Sequence, residues 1–185
     1  MKYLKYVLLL LAVLVLLFFG KGLLTPSISY ECEVTVDKPA AEAWAVMSDE
    51  TSLPKWIDGF IRTEHVRGTP KTVGAVSHVY VDENGQETMM QETITDLVEH
   101  EHMGMAFTMD FMDMDYDMHF KEENGKTQIR TTSVTRGNGV FAKSIISFMP
   151  SAMKAQEEAN LQNLKKLIDN NTKNYFPEAI QLDTE

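Results

Sequence analysis

The residues with the most distinctive chemistry lie close together. Met103, Met105, Met109, Met112, Met114 and Met118 fall within residues 103–118, interleaved with Phe107, Phe111, Tyr116 and Phe120. They keep a period of two, with a change of phase between Phe111 and Met112. That pattern predicts two neighbouring strands joined by a turn at the phase change, with one face almost wholly thioether and aromatic. Methionine is flexible and polarizable, so such a face either fills an irregular core or lines a cavity that adapts to apolar ligands of varied shape. Thioethers also ligate copper, but the interleaved aromatic rings work against a sulfur cluster.

Polar groups on the same surfaces are the candidates for acid–base work. Glu92 shares a strand face with Met90 and Ile94. A carboxyl facing an apolar cavity has a raised pKa and can donate or accept a proton near neutrality. The bland alternative is a hydrated position at a cavity mouth, or a bulge that turns Glu92 outward. Tyr80, Tyr116, Thr131 and Ser133 are further polar candidates. No Gly-x-Ser-x-Gly, HExxH, P-loop or dinucleotide fingerprint occurs. Cys32, the single cysteine, sits in an alternating strand pattern and reads as a small inward residue.

Two polar clusters suggest metal chemistry without completing it. Asp113, Asp115 and Asp117, with Asp110 nearby, lack the glycine and closing glutamate of a calcium loop. On a strand they occupy the face opposite the methionines, where Arg130, Thr132 and Arg136 can ease their repulsion. His100 and His102, flanked by Glu99 and Glu101, would point the same way on a strand. Zinc needs three or four ligands, and His65, His78 and His119 cannot be placed as partners, so this stretch reads as a polar loop. The expectation is no metal and no cofactor.

The elements that must position these groups are legible. Residues 28–36 alternate as a half-buried strand. Pro39 opens a helix over 40–48, and a short helical piece follows at 52–56. Strands are predicted at 60–66, 75–81, 87–97, 103–110, 114–121 and 127–135, with turns at Gly68-Thr69-Pro70, Glu83-Asn84-Gly85 and Asn124-Gly125. Short turns imply antiparallel neighbours in a seven-stranded sheet. After Gly137-Asn138-Gly139 the pattern is helical to Asn171, broken near Pro150. Leu161, Leu164, Leu167 and Ile168 form the apolar stripe, and Lys154, Glu157, Glu158, Lys165 and Lys166 solvate the rest. Residues 176–185 read as a tail.

The amino terminus stands apart. Residues 6–20 carry no charge, Lys2 and Lys5 precede them, and Lys21 precedes a last apolar Leu23 and Leu24. A bilayer span needs about 20 apolar residues, and Lys21 can snorkel to the headgroups. The expectation is a transmembrane anchor over residues 1–24 with the amino end cytoplasmic and the domain, residues 25–175, on the far side. A cleaved signal peptide is the rival, although Gly20-Lys21-Gly22 makes a poor cleavage site. Three of the 17 basic residues and none of the 27 acidic ones lie in this segment. The remainder therefore carries −13, which excludes a cationic footprint for nucleic acid and predicts that an anionic bilayer holds the domain off its surface.

The strand ending Val34-x-Val36, the helix-opening Pro39, Trp44, Ser48-Asp49 leading to Leu53-Pro54-x-Trp56, and Val73-Gly74 resemble the START/Bet v 1-like superfamily of polyketide cyclases/dehydrases and lipid-transport proteins. The element order resembles it across residues 28–172. The resemblance implies an α+β helix-grip fold, a curved antiparallel sheet around a long carboxy-terminal helix, with an apolar cavity between them. Tyr80, Met90, Met105, Phe107, Met109, Tyr116, Met118, Phe148 and Met149 are then the expected ligand-lining residues, with Glu92 as the candidate acid–base group. The implied role is membrane-anchored binding of a hydrophobic small molecule or lipid. An enzyme acting in the same cavity, or an interaction module with a filled core, are the alternatives.

Overall fold

The computed structural model describes residues 2–83 and 85–176. Helix α1 (Lys2–Leu24) leads through Thr25 and Pro26 into β1 (Ser27–Val36). Then come α2 (Ala40–Met47), α3 (Leu53–Trp56), β2 (Phe60–Arg67), β3 (Val76–Glu83), β4 (Gln86–Val98), β5 (His102–Thr108), β6 (Met112–Glu123) and β7 (Lys126–Gly137). Two helices close the chain, α4 (Val140–Ile146) and α5 (Pro150–Asp169). The strands form one antiparallel sheet in the order β1-β7-β6-β5-β4-β3-β2. Helices α2 and α3 carry the chain from one sheet edge to the other, and α5 lies in the concave face. This is the α+β helix-grip arrangement.

Local chemistry sets the boundaries. Pro39 precedes α2 in an extended conformation, and Pro150 is the first residue of α5, where its missing N–H costs nothing. Asn124 and Gly125 both have positive φ, 55° and 73°, as a tight two-residue hairpin requires. The Met109 N–H donates to the Met112 carbonyl at 3.0 Å, placing the β5–β6 turn at the phase change of the methionine pattern. Of the expected Glu83-Asn84-Gly85 turn, Asn84 lies outside the described residues. So does the expected tail, apart from Phe176.

The core is closed at one end of the grip. Leu161, Leu164 and Ile168 of α5 are essentially inaccessible and share a cluster with Val34 and Val36 of β1, Met118 and Phe120 of β6 and Ile129 of β7. Trp44 of α2 seals this end, its ring edge-on to Phe120 at 5.2 Å. Farther toward α4, Ile28 of β1 and Thr135 of β7 stay buried, whereas Met114 of β6 and Phe107 of β5 are only half-buried. Leu164→Ala should therefore cost about 2–5 kcal/mol of stability, as a well-packed leucine does. Met114→Ala should cost clearly less in the same urea titration; equal losses would mean that both ends are packed alike.

Candidate ligand chamber

The register of the sheet aligns inward side chains into rows across the strands. The row nearest α2 is Val34, Ile129 and Phe120. Next come Cys32, Thr131, Met118, Met103 and Leu97, then Tyr30, Ser133, Tyr116, Met105 and Ile94. The row nearest α4 is Ile28, Thr135, Met114, Phe107, Glu92 and Ser77. Met90, opposite Val79, extends this surface. Accessibility rises across the sheet: Ile28, Thr131, Ser133 and Thr135 of β1 and β7 are buried, whereas Met105 and Phe107 of β5, Met114 of β6 and Met90 and Glu92 of β4 are half-buried. The β4–β6 part of this face is thus a floor of thioether and aromatic groups that the protein leaves incompletely covered.

Polar groups line the wall of this space. The Tyr116 hydroxyl donates to Glu157 Oε1 of α5 at 2.7 Å. Burial pushes the Glu157 carboxyl above the usual carboxylate range, against the opposing effect of the Tyr116 and Thr131 hydroxyls. Burial, and then the Glu157 charge, push Tyr116 well above the ordinary phenol value. Tyr30 is raised for the same first reason. Ser133 and Thr135, on β7, are covered by the protein itself; Ser133 lies against the Tyr30 hydroxyl, and Thr135 Oγ1 has no hydrogen-bond partner among the described residues.

Glu92 lies between Ser77 and Phe107 in the sheet, facing inward as its strand parity predicts. Burial alone raises its pKa. Two strands and two residues separate it from Tyr116, roughly 12 Å on an ideal sheet. Glu92 and the Tyr116–Glu157 pair therefore mark two separate polar points on one apolar floor. Cys32 offers no nucleophile: burial, with Glu157 and Glu158 adding, pushes its thiol up to about 11, and its Sγ lies 3.8 Å from the Lys154 carbonyl.

Three expected lining residues lie elsewhere. Tyr80 is on the convex face, its hydroxyl 3.2 Å from Glu64 Oε2 and its ring 3.7 Å beneath the Arg62 guanidinium. The regular register of β3 with β4, Val79 opposite Met90 and Tyr80 opposite Met89, puts Val79, not Tyr80, inside. Phe148 and Met149 are exposed at the α4–α5 corner rather than inside the grip. Conversely, Glu157 and Tyr30 are site residues that residue type alone does not single out. Glu157 stands four residues before Leu161 and seven before Leu164, a helical spacing that puts it on the apolar stripe.

The outer face holds the remaining charges. Arg136 pairs with Asp115 at 2.6 Å, and Arg130 pairs with Glu33 at 3.2 Å. His102 opens β5, with Nε2 3.1 Å from Asp117, Nδ1 3.3 Å from Asp96, and its ring stacked 4.2 Å from His119. Among the described residues no group of three or more His, Cys, Asp or Glu side chains is placed to hold a metal ion. A groove lined by Val46, Ser52, Leu167, Lys173 and Tyr175 lies on the α2–α3 side of α5, away from the concave floor.

The raised pKa of Glu92 gives a prediction of definite sign. The unfolded carboxyl ionises near about 4.3 and the folded one higher, so the folded state binds more protons in between and loses stability as pH rises through that window. Glu92→Gln removes this loss. The variant should melt above the parent at about pH 8, and the difference should shrink as pH falls toward about 4. A difference independent of pH would contradict the burial of this carboxyl.

Comparison with known proteins places this geometry. Residues 27–169 match the family described as polyketide cyclase / dehydrase and lipid transport. No curated protein matches the sequence. Solved structures with a similar fold include the Zhui aromatase/cyclase from Streptomyces sp. R1128, with TM-score 0.65 and 15% identity over 77% of this chain and 94% of that one. Ara h 8.0201 gives 0.60 and 18% over 77% and 95%. Protein CV1439 from Chromobacterium violaceum gives 0.59 and 15% over 77% and 98%. These identities speak for the fold, and the family match spans most of the chain: it belongs to the polyketide cyclase/dehydrase and lipid-transport family of the START/Bet v 1-like superfamily.

Proposed function

We propose that the chain binds a hydrophobic small molecule or lipid between the sheet and α5, and that α1 holds it in a membrane. The observation that carries the binding role is the half-buried floor of Met90, Met105, Phe107 and Met114 beside Glu92. An apolar body would cover the floor, and its polar atoms would meet Glu92 and the Tyr116–Glu157 pair. A ligand burying on the order of 300 Å² of apolar surface gains about 7 kcal/mol before its entropic costs. Solvent extraction of the purified chain, followed by mass spectrometry, should release one class of apolar molecule in near-stoichiometric amount. Met114→Trp, which fills the floor, should lose it. A folded parent that yields no such molecule contradicts the reading.

The bond between Tyr116 and Glu157 supports a second reading, acid–base catalysis on the bound molecule. A carboxyl of raised pKa next to a phenol can pass a proton to or from a ligand oxygen. Similarity to aromatase/cyclases favours the same reading. If the chain is an enzyme, Glu157→Gln should co-purify with a molecule of different mass, the unconverted substrate. An unchanged ligand mass with retained binding argues for binding alone.

For the anchor, among the described residues one helix, Tyr3–Leu24, is long and apolar enough to cross a membrane, with mean hydropathy 2.8 in its most apolar stretch. Lys2 and Lys5 would leave the amino end in the cytoplasm and the domain outside it. Packing of the last turns of α1 on α4 supports retention of this segment. Intact mass spectrometry of the mature protein should give 21.0 kDa. A chain beginning near Leu23 would mean a cleaved signal peptide.

A further inference from the structure

Helix α4 has two faces of opposite character. Ala142, Ser144 and Ile146 are buried. Val140, Phe141, Phe148 and Met149 project outward, the two phenylalanines 60% and 57% exposed. Four apolar side chains grouped on one corner of a highly charged domain require a partner. Part of that partner is present in the chain. Phe18 of α1 stacks on Phe148 at 6.0 Å and 6°, and meets Phe141 at 6.3 Å. Lys21 Nζ lies 3.7 Å from the centre of the Phe148 ring. The close approach depends on Gly22, where a Cβ would collide with the backbone of Ser144.

This contact fixes the depth of the corner. Phe18 is three residues inside Lys21, about 4.5 Å along the helix axis. In a spanning α1 with Lys21 at the headgroups, Phe18 lies at the outer edge of the hydrocarbon, and rings stacked on it share that depth. Thr25 and Pro26 alone separate α1 from β1, a reach of at most about 7 Å, so the domain cannot stand clear of the bilayer. Charge is arranged to permit the approach despite the net −13. None of the 27 acidic residues lies in residues 1–30 or 124–156, the stretches that contain α1, α4 and the corner. Asn138 ties this pole to the β5–β6 turn through the Met109 and Phe111 carbonyls, and Asp110 is the one acid of that turn.

We propose that Val140, Phe141, Phe148 and Met149 form a membrane-docking face, inserted in the interfacial layer of the bilayer that α1 crosses. The face holds the domain against the bilayer surface in one orientation, set by the contact of α1 with α4. The proposal rests on α1 being an anchor. Its occupant is the lipid surface rather than a second copy, because the corner is already bound to the end of a membrane helix and carries no acid.

The test uses the full chain in vesicles of phosphatidylcholine and phosphatidylglycerol. Cys32 is buried with a raised pKa, so an introduced cysteine can be labelled selectively with an environment-sensitive fluorophore. Probes at Phe141→Cys and Phe148→Cys should shift to the blue and be quenched by lipids spin-labelled near the headgroup. A probe at Leu14→Cys should be quenched by lipids labelled deep in the chain, and one at Lys121→Cys should stay aqueous. If Leu14 reports lipid while the 141 and 148 probes report water, the anchor stands and the docking face is refuted. An aqueous Leu14 probe refutes the anchor, and the docking face with it. Shielded 141 and 148 probes without lipid quenching, together with cross-linked dimers, assign the face to a second copy and overturn the proposal. Gly22→Leu, which forces α1 off α4, should return the 148 probe toward its aqueous emission while leaving the Leu14 probe in lipid.

Discussion

Everything about this molecule depends on α5 being packed tightly along only part of its length. Leu161, Leu164 and Ile168 lock the carboxy-terminal half of the helix onto β1, β6, β7 and α2. The amino-terminal half presents Glu157 to the sheet where a fourth apolar residue of the stripe would stand. A carboxyl cannot close that end as a leucine would, because its desolvation must be offset by hydrogen bonds. The sheet answers with Tyr116 and Thr131, and the remaining space is left to flexible methionines. The packed end supplies stability that the loosely covered end forgoes.

The electrostatics follow the same division. Where the grip is closed, charged groups are outside and paired, as in Arg130–Glu33 and Lys165–Asp169. Where it is open, Glu92 and Glu157 are held within apolar surroundings, and burial keeps both carboxyls prone to carry a proton. The two proposed readings, binding alone and acid–base catalysis, call on the same groups and differ only in what happens to the bound molecule.

Much of this is legible in the sequence. Alternation of Met103 to Met109 and Met114 to Phe120 specifies the inward face of two strands, and Pro150 specifies the break before α5. Glu92 faces inward as its neighbours Met90 and Ile94 imply. The departures have physical causes. Glu157 groups with the solvating charges by its type, although its spacing to Leu161 and Leu164 puts it inside. Tyr80 faces outward because the unbroken register of β3 with β4 sets it opposite Met89 rather than Met90, a pairing no local pattern fixes. Phe148 and Met149 lie outside the chamber because the partner of this corner, Phe18, is more than a hundred residues away and no local pattern links them.

The central claim, that the half-covered methionine floor near α4 receives an apolar ligand, can be read out atom by atom. Among the 12 methionines, Met90, Met105 and Met114 lie on the half-buried floor and Met47 and Met118 in the sealed core. With methyl-labelled methionine, a titration with a long-chain alcohol should shift the Met90, Met105 and Met114 resonances in NMR spectra and leave Met47, packed in the closed end, unmoved. Saturable shifts confined to the floor are the predicted result. No saturable shift at the floor, or shifts of equal size at Met47, would contradict the account.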